Sequence, residues 1–199
     1  MIKLLTATNT QRFQKLRLKG LKTDPKSFLA TYQMESTRPD FFFQTKLRYA
    51  TKPPIFGYYG YFKDSKSPKS AKVTGSGNGG VRSLREAASR RRTGRLVGFI
   101  QIDSEYHPKN KHLANLYSLY VHPNYRKKGI ATKLINHTIK LAKSQESLEQ
   151  IHLRANSDNK NAIKLYKKVG FTHFATRQKA FKEADGTYQD ELFFSLDLK

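Results

Sequence analysis

Apolar residues recur along this 199-residue chain with two different periods. The alternation of those periods sets out an order of strands and helices. Residues 2–8 read as a strand. Thr10 then opens a stretch in which Phe13, Leu16, Leu18 and Leu21 recur at nearer 3.6 than 2 residues, a helix that Asp24-Pro25 ends. A second helix is expected from about Pro39 through Phe42, Leu47 and Ala50, with Pro53-Pro54 as its stop. Residues 55–62 and 96–102 are strand-like and would pair if the residues between them were a loop. Residues 116–121 form the next strand. A broad apolar stripe through Ile130, Leu134, Ile135, Ile139 and Leu141 predicts a helix from Gly129 to about Ser144, packed on a sheet. Residues 151–155 read as another strand, followed by a helix capped by Asp158 or Asn159, with Ile163, Tyr166 and Val169 on one face. Residues 171–184 and 189–197 alternate around Asp185-Gly186, a hairpin signal. Strands and helices alternate in the middle and hairpins occupy the flanks, so the fold class is α/β with a mixed sheet.

One stretch breaks this order. Residues 63–95 combine Ser, Lys and Pro with Gly75, Gly77, Gly79 and Gly80 and an Arg-rich end, a composition too polar to offset its own ordering entropy. It is expected to be a disordered basic insertion within a single domain spanning 1–199. Its glycines satisfy G-x-G-x-x-G literally, but no strand precedes them and no acidic residue follows at the spacing of a dinucleotide site. The insertion holds ten basic residues against Asp64 and Glu86, an excess of +8 within a net charge of +23, which leaves +15 for the remainder. A polyanion is the partner class such a charge suggests, whether nucleic acid, ribosome, anionic membrane or phosphorylated ligand.

The chemistry concentrates at two strand-to-helix junctions. In the first, Arg126, Lys127, Lys128, Gly129, Ile130 and Ala131 lie between a strand and a helix start. A helix N-terminus offers unpaired amides and the positive end of its dipole, and a glycine lets the main chain approach an anion. Taken alone, this segment reads equally as a structural turn. In the second, Asn159, Ala162 and Tyr166 lead to Gly170-Phe171. The pair resembles the GNAT superfamily of N-acetyltransferases, whose first motif, Gln/Arg-x-x-Gly-x-Gly/Ala, is matched by Arg126, Gly129 and Ala131. The second, Asn-x-x-Ala-x-x-x-Tyr followed by Gly-Phe, is matched by Asn159, Ala162, Tyr166, Gly170 and Phe171. The resemblance covers residues 1–62 and 96–198 for the most part. It implies a mixed, largely antiparallel central sheet of six to seven strands flanked by about four helices, with the insertion between the second and third strands. The ending, Ala180-Phe181-Lys182 with residues 185–191, is similar to members acting on small amines or protein amines.

That resemblance implies acetyl-CoA as co-substrate and a primary amine, on a small molecule or a protein, as acceptor. The cofactor's phosphates would lie on Arg126, Lys127 and Lys128 and on the amides through Gly129, Ile130, Ala131 and Thr132. Its pantetheine arm would pair with Leu119, Tyr120 and Val121, with Asn159 and Ala162 beside it. Tyr166 is implied as the acid that protonates the leaving thiolate, although a tyrosine on an apolar helix face is also an ordinary core residue. The attacking amine must be neutral. A lysine of pKa ~10.4 meets that condition at pH 7 at a cost of roughly 4.6 kcal/mol, an α-amine at only ~1 to 1.4. Glu35, Asp103, Glu105 and Glu191 are candidate bases by residue type, and their spacing singles out none.

The chain has no cysteine, and its six histidines show no ligand spacing, so no metal site is expected. No apolar run approaches the ~18 residues of a membrane span or a signal peptide's core, so a cytoplasmic protein is expected. A second reading stays open: a non-catalytic module on the same scaffold that binds RNA or ribosomes through its basic surface and insertion, with Tyr58, Tyr59 and Tyr61 stacking on bases. A homodimer also stays open.

Overall fold

The computed structural model describes residues 1–48, 55–63, 94–183 and 185–199. Seven strands form one sheet in the order β1-β2-β3-β4-β5-β7-β6. They are β1 (Ile2–Leu4), β2 (Phe56–Lys63), β3 (Arg95–Ser104), β4 (Leu113–Val121), β5 (Gln150–Asn156), β6 (Thr172–Lys182) and β7 (Tyr188–Asp197). Every neighbouring pair is antiparallel except β4 and β5. Five α-helices accompany them among the described residues: α1 (Thr10–Thr23), α2 (Tyr32–Ser36), α3 (Asp40–Arg48), α4 (Ile130–Lys143) and α5 (Lys160–Lys168). The mixed, largely antiparallel sheet expected from the sequence is therefore present.

Three details differ from the expectation. β1 stops at Leu4 rather than Thr8, because Leu5 donates the last bond to Tyr58, at 2.7 Å, and Thr6 then closes a 3-10 turn by pairing with Asn9. α2 was not expected; it is a five-residue helix with no apolar stripe, started by the Thr31 hydroxyl accepting from the Met34 amide at 3.2 Å. Lys63 and Arg95, read as the ends of the insertion, pair with each other as the last rungs of β2 and β3. The remainder of the expected insertion, apart from Gly94, lies outside the described residues, as do Tyr49 and Ala50 of the second helix.

Side chains alternate across the sheet, so each face acquires its own core. Val97, Ile100, Ile102, Leu116, Leu134, Ile135, Ile151, Leu153 and Phe194 pack together with α4, and Ile163, Tyr166 and Val169 of the α5 region lie against them. On the other face Phe13, Leu16, Phe43, Leu47, Tyr58, Phe99 and Tyr120 join α1 and α3 to the sheet. Of the three tyrosines named as a stacking surface, Tyr58 is buried in this second core, which removes it from that role, while Tyr59 and Tyr61 are partly buried against the α4-side core. Among the described residues no helix is long and apolar enough to cross a membrane.

The feature that matters for a site lies at the centre of the sheet. β4 and β5 pair only from Leu113 to Leu116 against Gln150 to Leu153. Immediately beyond, the register of β4 with β3 shifts between Tyr117 and Tyr120, and Ser118 takes φ +53, a positive value unusual for a residue with a Cβ. The bulge keeps Tyr120 and Val121 bonded to β3 while the β5-facing edge of β4 is left without a strand partner.

Phe99 holds the helical face onto β3. Its ring is fully buried, edge-on to Phe13 at 5.2 Å and tilted against Tyr120 at 5.8 Å. Phe99→Ala is expected to lower unfolding free energy by ~3–5 kcal/mol, read as a reduced urea midpoint with an unchanged slope.

Candidate functional site

At the first junction β4 ends at Val121, and Pro123–Tyr125 forms a 3-10 turn. Lys127 and Gly129 then take φ +57 and +70 before α4 begins. Gly129 answers to that backbone rather than to packing, because a Cβ built there meets nothing within 4 Å. Among the described residues, no acceptor pairs with the amides of residues 127–132, while Lys133 returns to the ladder by donating to Gly129 at 3.0 Å. Six amides thus surround open space at a helix start, the arrangement that suits a phosphate.

Two of the three basic side chains, those of Arg126 and Lys128, bond within the protein. Arg126 donates from Nε to the Val121 carbonyl at 2.9 Å and from Nη2 to Asp24 Oδ2 at 2.6 Å, and its guanidinium lies 5.7 Å from the Tyr120 ring centre. Lys128 donates to the Asn124 carbonyl at 3.1 Å. Both brace the turn and leave it a net positive charge at short range. The amides are the groups open to a ligand.

At the second junction Asn159 caps α5, its Oδ1 accepting from the Ala162 amide at 3.2 Å, while its Nδ2 donates to Ser27 Oγ at 3.1 Å. The connection after α1 therefore touches both junctions, through Asp24 to Arg126 and through Ser27 to Asn159. Three peptide links reach no further than ~11 Å. The two junctions accordingly lie on one side of the molecule.

Between them, where β4 and β5 part, is a cavity of about 990 Å³. Tyr117, Ser118 and Leu119 of β4 and Leu153, Arg154, Ala155 and Asn156 of β5 form its floor, and Asn159, Ala162 and Tyr166 line it from α5. Residues 25–33 and side chains of α1 to α3 cover the helical side, and residues 180–183 and Glu191 the far side. Of the residues expected from sequence, Leu119, Asn159, Ala162 and Tyr166 meet in this cavity. Arg126, Lys127, Lys128, Gly129, Ile130, Ala131 and Thr132 do not line it; they form the neighbouring cradle. Tyr120 and Val121 are buried beneath, with the Tyr120 hydroxyl 3.0 Å from Thr23 Oγ1.

Tyr166 packs near Phe171 and Phe194, with ring centres 6.2 and 6.1 Å away. Burial pushes its hydroxyl up to about 12. It is therefore a neutral O–H donor across the whole working range of pH.

The four candidate carboxylates separate sharply. Asp103 and Glu105 are not in the cavity wall: Glu105 accepts from Asn115 at 2.8 Å, and burial, with Glu105 nearby, pushes the Asp103 carboxyl up. Glu35 and Glu191 both line the cavity. Glu35 accepts from Arg17 Nε and Nη2, each at 3.0 Å, and lies 3.7 Å from Lys46. Glu191 lies 2.8 Å from Arg177 and 3.8 Å from Arg154. The cations around them had no signal in the sequence, because they come from α1, α3, β5 and β6. The bulge at Ser118 had one, a polar residue interrupting an apolar strand. Among the described residues there is no group of three or more His, Asp or Glu that could hold a metal ion.

Residues 80–171 match the model of the Acetyltransferase (GNAT) family. L-amino acid N-acetyltransferase AaaT of Escherichia coli is 29% identical over 102 residues, 51% of this chain and 62% of that protein. An N-alpha-acetyltransferase of Sulfurisphaera tokodaii is 30% identical over 102 residues, 48% of this chain and 61% of its own length. The match thus spans less than two thirds of each relative. A putative acetyltransferase of Acinetobacter baylyi superposes with a TM-score of 0.70 at 20% identity, over 99% of this chain and 90% of that one. The yncA protein of Salmonella typhimurium, solved with its cofactor acetyl-CoA, superposes with a TM-score of 0.68 at 14% identity, over 100% and 94%. In sequence the segment 80–171 is thus similar to the GNAT acetyltransferases, and the chain as a whole shares the fold of these structures.

The Arg17–Glu35 pair joins α1 to α2, with side chains 8% and 4% exposed. Glu35→Ala should cost ~3–5 kcal/mol, since it strands a buried guanidinium, and the double change Arg17→Met with Glu35→Leu should recover most of that loss. Paired urea titrations of both variants measure it.

Proposed function

We propose that the chain is an acetyl-CoA-dependent N-acetyltransferase that moves the acetyl group to a primary amine by direct attack in a ternary complex. The observation that carries this reading is the open amide cradle at residues 127–132 placed next to a cavity that holds Leu119 and Tyr166. The cofactor's diphosphate would lie on the cradle, whose six amides, that of Gly129 among them, have no partner among the described residues. Its extended arm fits the edge of β4 that β5 leaves, and an amide there would polarise the thioester carbonyl. Asn159 and Ala162 line the arm's route.

In the reaction the amine's lone pair forms the new C–N bond, the C–S bond breaks, and sulfur departs with its electron pair. Tyr166 is the residue we assign to that sulfur. Full transfer of its proton to a thiolate of ordinary acidity, near 8.5, is uphill by about 5 kcal/mol in the free protein. Its contribution is consequently a hydrogen bond that strengthens as charge builds on sulfur; the phenol proton passes to the thiolate as the proton shed by the amine nitrogen replaces it on Tyr166, directly or through water. An α-amine needs only ~1 to 1.4 kcal/mol to become neutral at pH 7, and relatives named for α-amino and amino-acid acetylation favour that acceptor. A cytoplasmic location suits an enzyme that draws on acetyl-CoA.

Calorimetry is expected to detect acetyl-CoA binding in the micromolar range and to lose it in Gly129→Glu, whose carboxylate enters the cradle; unchanged affinity would remove the physical basis of the assignment. Tyr166→Phe is expected to lower kcat by ~10²-fold with KM for acetyl-CoA little changed. Because a hydroxyl raised to about 12 stays protonated below that value, the variant's pH profile should parallel that of the parent. An alkaline limb lost with the hydroxyl would contradict the donor role.

A further inference from the structure

Two clusters of charge in the cavity wall have no part in the reaction as read above. On the helical side Glu35 is held by Arg17 and Lys46; on the sheet side Glu191 is held by Arg154 and Arg177. Each carboxylate side chain is at most 5% exposed, and each has two cations where one would neutralise it. Both clusters therefore carry a net +1. Of the charged side chains lining the cavity, six are cations and three are carboxylates. The two clusters come from opposite elements of the fold, α1 and α3 on one side and β5 and β6 on the other.

A cavity of that sign acts on an acceptor in two ways. It disfavours an ammonium relative to the neutral amine, which is the form that attacks. It also attracts an anionic group elsewhere on the same molecule. In the wall itself burial pushes the Lys46 ammonium down, against the pull of Glu35. For the second, Arg154 is the cation best placed. It is 41% exposed, sits 3.8 Å from Glu191, and lies against the Tyr117 and Phe193 rings at 5.9 and 6.0 Å, so much of its guanidinium is free to bond a ligand.

We propose that the acceptor is a primary amine with an anionic group close to it, that Arg154 reads that anion, and that polycationic amines are excluded. This rests on the acetyl-transfer reading and adds the substrate class. Of the three carboxylates in the wall, Glu35 and Glu191 are held by cations and Glu183 is the third, and the field of the wall would supply part of the deprotonation that attack requires.

The test compares peptides with a free α-amine and either Asp or Lys at the second and third positions, together with spermidine. The readouts are thiol release from acetyl-CoA and direct calorimetric binding, with and without CoA. Acidic peptides are expected to show kcat/KM at least about tenfold above their basic counterparts, with the gap narrowing as NaCl is raised. Arg154→Glu should abolish or invert the preference, and Arg154→Gln, a milder change should the first misfold, should shrink it. Equal or better use of the basic peptide or spermidine would overturn the proposal, as would an acid preference untouched by either variant. If no amine is acetylated, the transfer reading fails by itself, and the binding arm still decides: selective, Arg154-dependent binding of the acidic peptide upholds the cavity's preference, and indifferent binding overturns it.

Discussion

Parallel pairing between β4 and β5 lasts four residues and then stops, and the site depends on that short agreement. Each strand is committed on its other side, β4 to β3 and β5 to β7, by antiparallel ladders that run much further. When Ser118 bulges, β4 can satisfy its bonds to β3 only by turning away from β5. Main-chain groups in the gap would be costly if sealed from water without partners. A cavity open to an extended ligand resolves the conflict, and the helices are arranged around it.

Buried ion pairs set the walls of that cavity. Arg17 and Glu35 join α1 to α2, and Lys46 brings in α3. Such pairs return little net stability once desolvation is counted. Their effect here is positional: a guanidinium bonded twice by one carboxylate fixes the place of α2, a five-residue helix with no apolar stripe of its own. The same connection ties the two junctions together, since residues 24–27 reach Arg126 at one end and Asn159 at the other. Closing the helical wall and bracing the cradle are therefore one structural act.

Much of this was readable in the chain itself. Helices α1, α4 and α5 follow from 3.6-residue apolar spacing, the start of α1 from Thr10 and the N-caps of α4 and α5 from Gly129 and Asn159, because those signals are local. α2 was not readable, since five residues held by one threonine cap and one ion pair leave no periodic trace. The glycine at the start of α4 was legible as a left-handed turn residue. The fate of Arg126 was not: its partner Asp24 is 102 residues distant in sequence, and charge alone suggested that the side chain faced the ligand. Likewise the burial of Tyr58 was not readable, since the helices that cover it are distant in sequence.

What the amino-acid order determined by itself was the succession of elements, the two junctions and the types of group they could present, since each depends on neighbours within about a helical turn. Tertiary structure decided which of those groups meet. It left the amides of residues 127–132 free, turned Arg126 back on Asp24, chose Glu35 and Glu191 over Asp103 and Glu105 as cavity carboxylates, and gave each of them a second cation. The physical reason is that charge and burial are set by groups distant along the chain and adjacent in space, and only the parting of β4 from β5 brings those groups around one cavity.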